Sequence, residues 1–99
     1  MNIQKMMKDL QRMQTKLQSE IETLELEAGA GGGLVTARMN GKKELVGLTI
    51  AAEAITPDDP GLLQDLIMAA VNEVGRLVDA EIQRKTQGLA GGMKIPGLS

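Results

Sequence analysis

Lys5, Lys8, Arg12 and Lys16 recur at spacings of three and four residues near the start of this 99-residue chain. On a helical wheel at about 100° per residue they share an arc of roughly 80°. Cations set one helical turn apart suit the roughly 6–7 Å between phosphates of a nucleic-acid backbone; such contacts neutralise charge and carry no sequence information. A second basic set, Arg84, Lys85 and Lys94, lies near the other end. Catalytic chemistry has no comparable support. His, Cys and Tyr are all absent, which removes imidazole bases, thiol nucleophiles, phenols and histidine or thiolate metal sites. The paired carboxylates Asp58/Asp59 and Glu25/Glu27 read as helix caps and a solvated strand face. The run Gly29–Gly33 superficially suits a phosphate cradle, but it leads into a strand pattern and lacks the Lys-Ser/Thr ending of a nucleotide loop. No enzyme activity, cofactor, metal or small-molecule substrate is expected.

The elements that must position the basic row follow from periodicity. Ile3, Met6, Leu10, Met13, Leu17 and Leu24, with Met7 and Ile21 alongside, form the apolar stripe of a helix nearly opposite the cations. Neither Pro nor Gly occurs before Gly29, so a helix of about 20 residues, roughly 30 Å long, is predicted. Leu24, Leu26 and Ala28 then alternate with Glu25 and Glu27, which suits a short strand, or the helix runs on to Ala28. The glycine run reads as a turn or a bulged strand edge.

Leu34–Met39 and Leu45–Ile50 flank Asn40-Gly41, a hairpin dipeptide. A two-residue loop there pairs Val35 with Val46, and a four-residue loop keeps the same parity. Either way Val35, Ala37, Met39, Val46, Leu48 and Ile50 share one face, expected to serve the core and a dimer interface. Thr56-Pro57-Asp58-Asp59-Pro60 is helix-start chemistry. A second helix follows with Leu63, Leu66, Ile67, Ala70, Val71, Val74, Leu77 and Val78 as its stripe, running to about Thr86 or Gln87 before Gly88. The chain divides into an α+β domain, residues 1–87, and a Gly-rich tail, residues 88–99, expected to be flexible.

Composition narrows the partners. The chain is 42% apolar and 24% charged, as in soluble globular domains. Phe, Tyr and Trp are absent, so a single-chain core is thin and a homodimer is expected to supply the missing burial. No apolar run approaches the roughly 18 residues of a membrane span, and the first residues lack a signal-peptide core, so a cytoplasmic setting is expected. The net charge of −2 conceals a polar distribution: residues 1–19 and 83–99 each carry +3, and residues 53–82 carry −6. Two long helices packed antiparallel would bring both basic ends to one pole. Without aromatic stacking platforms, duplex DNA is favoured over single strands. The competing reading is a dimeric scaffold whose basic arms bind an acidic protein, RNA or an anionic membrane surface.

Met7-Lys8-Asp9-Leu10-Gln11-Arg12-Met13-Gln14, then Gly32-Gly33-Leu34-Val35, Asn40-Gly41-Lys42, the helix start at Leu62–Ala70 and the closing Gly92-Met93-Lys94-Ile95-Pro96-Gly97 follow in this order. Together they resemble the YbaB/EbfC family of bacterial nucleoid-associated proteins over nearly the whole chain. That resemblance implies a tweezer-shaped homodimer with a sheet-based centre and helical arms. It also implies duplex DNA binding that alters DNA conformation, influences nucleoid organisation and gene expression, and takes place in the bacterial cytoplasm at the nucleoid. The charge geometry, not a family motif, places phosphate contacts on Lys5, Lys8, Arg12, Lys16, Arg84 and Lys85.

Overall fold

The computed structural model describes residues 2–91, with side-chain surroundings through Gln87. The order is α1 (Ile3–Glu22), β1 (Glu25–Ala30), β2 (Val35–Asn40), β3 (Leu45–Ile50), a 3-10 turn at Ala52–Ala54 and α2 (Pro60–Gly91). The strands form one antiparallel sheet in the order β1-β2-β3. The architecture is α+β, helix, three antiparallel strands and long helix.

α1 starts where the Asn2 side chain accepts from the Lys5 amide at 3.3 Å, satisfying one of the free N–H groups of a first turn. It stops at Thr23, whose hydroxyl and amide both donate to the Ser19 carbonyl. Of the two readings open for residues 25–28, the strand is the one observed: Leu26 stands opposite Met39 and Ala28 opposite Ala37. Gly31, Gly32 and Gly33 then turn the chain with φ of 64°, 69° and 94°, conformations that side chains disfavour.

The β2–β3 hairpin differs from both expected loop lengths. Asn40 pairs with Glu44 across a three-residue loop, and the left-handed position falls on Lys43 (φ 64°) instead of on Asn40 or Gly41. Asn40 works through its side chain, whose oxygen accepts from the Lys42 and Glu44 amides at 2.9 and 3.0 Å. An odd loop would invert the faces of β3, but a bulge between Arg38 and Met39 restores them. Val35 therefore stands opposite Ile50 and Ala37 opposite Leu48, whereas Leu45 takes the place expected for Val46 opposite Met39.

The core lies between the β1–β2 part of the sheet and α2. Ala28, Val35, Ala37 and Met39 meet Ala70, Val74 and Val78, which recur every four residues along α2. Val35, Val74 and Val78 are fully buried, each contributing about 1.5–2 kcal/mol of apolar transfer. α2 lies over β1 and β2 and leaves β3 at the open edge. For that reason Val46 and Leu48, expected on the shared apolar face, are exposed within the single chain, and Ile50 is half-buried.

α2 opens as its sequence dictates, with Pro60 in the first position and the Asp59 carboxylate accepting from the Leu62 amide at 3.2 Å. It continues through Gly88 to Gly91, past the expected stop. One helical glycine costs only about 1 kcal/mol, and no proline intervenes before Pro96. The tail residues 92–99, Lys94 among them, lie outside the described residues.

Candidate nucleic-acid interface

Among the described residues, α1 meets the body at its C-terminal end. The Gly41 amide donates to the Leu24 carbonyl at 3.1 Å. Gly41 is packed so tightly that a Cβ there would run into the Ile21 carbonyl oxygen. Beside this joint, Lys85 of α2 reaches Glu20 of α1 at 3.5 Å and Glu81 of its own helix at 3.8 Å, with only 18% of its side chain exposed. Glu25, which opens β1, pairs with Asn40 at the hairpin end of the sheet. α2 passes that same end where Lys43 meets Asp79 at 2.8 Å. Upstream of Glu20, α1 therefore leaves the sheet at the end where α2 also leaves it beyond Lys85. The extents of 70 × 26 × 16 Å reflect this protruding arm, and no residue of α1 is buried.

Lys5, Lys8, Arg12 and Lys16 all stand exposed on the arm. Lys8, Arg12 and Lys16 line a shallow open groove together with Gln11, Thr15 and Ser19. These three neutral hydrogen-bonding groups were not singled out from the sequence. Their positions three and four residues from the cations were the available signal. At the far end of the groove Glu20 supplies a carboxylate, the one among the described lining residues, held by Lys85.

Pairing separates the arm from the rest of the charge. Arg38 bonds Glu25 at 2.7 Å, Lys43 bonds Asp79, Arg76 bonds Glu73 and Arg84 bonds Glu81. With Lys85, that accounts for half of the cations among the described residues. Of the others, Lys42 lies in the hairpin loop, and Lys5, Lys8, Arg12 and Lys16 form the arm row. None of these five has a carboxylate within 4 Å among the described residues. Arg84 and Lys85 thus reach the same end of the sheet as the arm, but each is engaged by carboxylates there. The bond from Arg84 holds the Glu81 carboxyl below its usual range and raises the Arg84 guanidinium; Arg76 and Glu73 do the same to each other.

The first turn of α1 contains no acid and includes Lys5. Cations there oppose the helix dipole at a local cost of about 0.3–1 kcal/mol, so they do not serve the helix. Their field and the positive end of the dipole add, and the sum attracts anions. The groove lacks His and Cys, and no cluster of acidic residues suited to a metal occurs among the described residues. No helix among them is long and apolar enough to cross a membrane.

Residues 1–93 match the YbaB/EbfC DNA-binding family. A nucleoid-associated protein of Alkaliphilus metalliredigens is 45% identical over 98% of this chain and 88% of its own length. One from Clostridium novyi is 44% identical over 99% of this chain and 89% of its own. Among solved structures, an uncharacterized protein from Helicobacter pylori, HP0035, superposes with a TM-score of 0.63. It covers 89% of this chain and 98% of that one at 24% identity, and so speaks for the fold alone.

Proposed function

The chain belongs to the YbaB/EbfC DNA-binding family, and from that premise we propose that it grips duplex DNA by its phosphates with the α1 arms of a homodimer. Lys5, Lys8, Arg12 and Lys16 make the main contacts, Gln11, Thr15 and Ser19 add neutral hydrogen bonds, and Arg84 contributes from the base. Lys85 fixes the arm to α2 through Glu20. The observation that carries this reading is the contrast in pairing: among the described residues every cation of the body except Lys42 holds a carboxylate, and the arm row does not. A chain without aromatic residues has no stacking platform, so binding reads duplex shape and charge with little base readout.

The dimer forms on the open β3 edge, where Leu45, Val46 and Leu48 are exposed and α2 does not reach. Burying them adds apolar area to a thin core and points two arms at one duplex, whose conformation adapts to the span. Nucleoid organisation and gene expression follow from that deformation, in keeping with the nucleoid-associated relatives.

Binding measured over a salt series tests the mechanism. About four phosphates neutralised per arm give a slope of log K against log salt near −3.6, and about −7 when both arms engage. A slope near zero contradicts a phosphate grip.

A further inference from the structure

The described methionines divide by exposure. Met39 lies in the core at 6%, whereas Met6, Met7 and Met13 on α1 are 53%, 57% and 40% exposed and Met68 on α2 is 60% exposed. Cys, His, Trp and Tyr are absent from the chain, so the thioethers are its most readily oxidised groups. On α1 they also hold the helix together. Ile3, Met6, Met7, Leu10, Met13 and Leu17 make six apolar pairs three or four residues apart, and every pair contains a methionine. Little else supports the arm: none of its residues is buried, and its first turn contains no acid. Among the described residues its one ion pair, Glu20 with Lys85, lies at the base. The length upstream of Leu17 is a helix of the size that is marginal in water without tertiary cover.

We propose that Met6, Met7 and Met13 are an oxidation switch for the arm, thrown by a peroxide. The peroxide gives one oxygen to the sulfur: an S–O bond forms, the O–O bond breaks and water leaves, the sulfur losing two electrons to the peroxide. The sulfoxide is polar and chiral where the thioether was apolar and flexible, so all six pairs lose their apolar contact. The arm upstream of Leu17 then frays, and Lys5, Lys8, Arg12 and Lys16 leave their shared arc. The duplex is released, a last step that rests on the phosphate grip proposed above. Met68 is equally open to oxidant, but α2 is held by Ala70, Val74 and Val78 on its packed face, so a sulfoxide at Met68 leaves the fold intact. A thiol-dependent sulfoxide reductase removes the oxygen as water and resets the switch.

Hydrogen peroxide treatment, followed by peptide mass mapping and amide exchange without DNA, tests the switch apart from the grip. Met6, Met7 and Met13 should be oxidised at least about fivefold faster than Met39. Residues 4–14 should then exchange about tenfold faster, with β2 unchanged. Methionine sulfoxide reductases for both epimers, with dithiothreitol, should restore the original rates. Met6→Leu, Met7→Leu, Met13→Leu keeps the stripe and the helix propensity and should be indifferent to peroxide, while Met68→Leu should respond as wild type does. Unchanged exchange at residues 4–14 once the three are oxidised overturns the proposal, as does Met39 reacting at their rate or the triple variant loosening like wild type. Duplex affinity on the same samples should fall about tenfold in oxidised wild type and hold in the triple variant; oxidised wild type that binds as before overturns the release. Reduced wild type that never binds duplex contradicts the grip and leaves the exchange result standing.

Discussion

α1 and α2 have the same kind of apolar period and occupy opposite situations. The α2 stripe buries Ala70, Val74 and Val78 completely, whereas α1, with a more sharply segregated apolar face, buries nothing. The difference lies in the neighbours. α2 returns across a sheet whose Ala28, Val35 and Ala37 receive it, while α1 precedes that sheet and meets it at the Gly41 joint. Amphipathicity thus states that a helix requires a partner, and topology decides whether the chain provides one. Charge follows the same division, with carboxylates beside the body's cations other than Lys42 and open groove beside Lys8, Arg12 and Lys16 of the arm.

The joint is where this contrast breaks most readily. Gly41→Ala places a methyl group against the Ile21 carbonyl and should destabilise the fold by about 3 kcal/mol, read as a lower urea midpoint. Within the helices, Val74→Ala should cost about 2 kcal/mol from lost burial and the cavity left behind, and Ile3→Ala less than about 0.5. Equal losses at the two sites would mean that α1 is as much a core element as α2. Lys85→Met keeps the packing of a long side chain but leaves Glu20 without its cation. A loss of about 1 kcal/mol should accompany faster amide exchange in α1.

The smallest effect is that of acid. Hydrogen bonds from Arg76 and Arg84 hold Glu73 and Glu81 below the ordinary value of 4.5. Their contribution is fully present above that value and fades as pH falls through the lower folded one. Helical circular dichroism should therefore decline slightly below about pH 4, with Glu73→Gln, Glu81→Gln losing this component.

Most of the frame is legible in the sequence. Asn40-Gly41 marked the hairpin and Asp59-Pro60 the start of α2, because caps and turns act over a few residues, whereas the alternation at Leu26/Ala28 left a strand and a longer helix both open. Loop length was not legible, since Asn40 bonds amides with its side chain and the left-handed position passes to Lys43, a residue with no turn signature. Leu45 and Val46 exchanged places for the same reason, through the bulge that restored the faces. On the arm, the row from Lys5 to Lys16 could be read because helical periodicity is local. The engagement of Lys85 could not, because Glu20 is 65 residues away and only the fold brings it near.

Charge reversal tests the central claim most directly. The account expects Lys5→Glu, Lys8→Glu, Arg12→Glu, Lys16→Glu to leave dimerisation intact, abolish the duplex mobility shift and flatten the salt slope. Lys42→Glu with Lys43→Glu, at the turn of the body, should retain both shift and slope. An arm variant that still shifts duplex DNA as wild type does, or a turn variant that alone abolishes the shift, would contradict it.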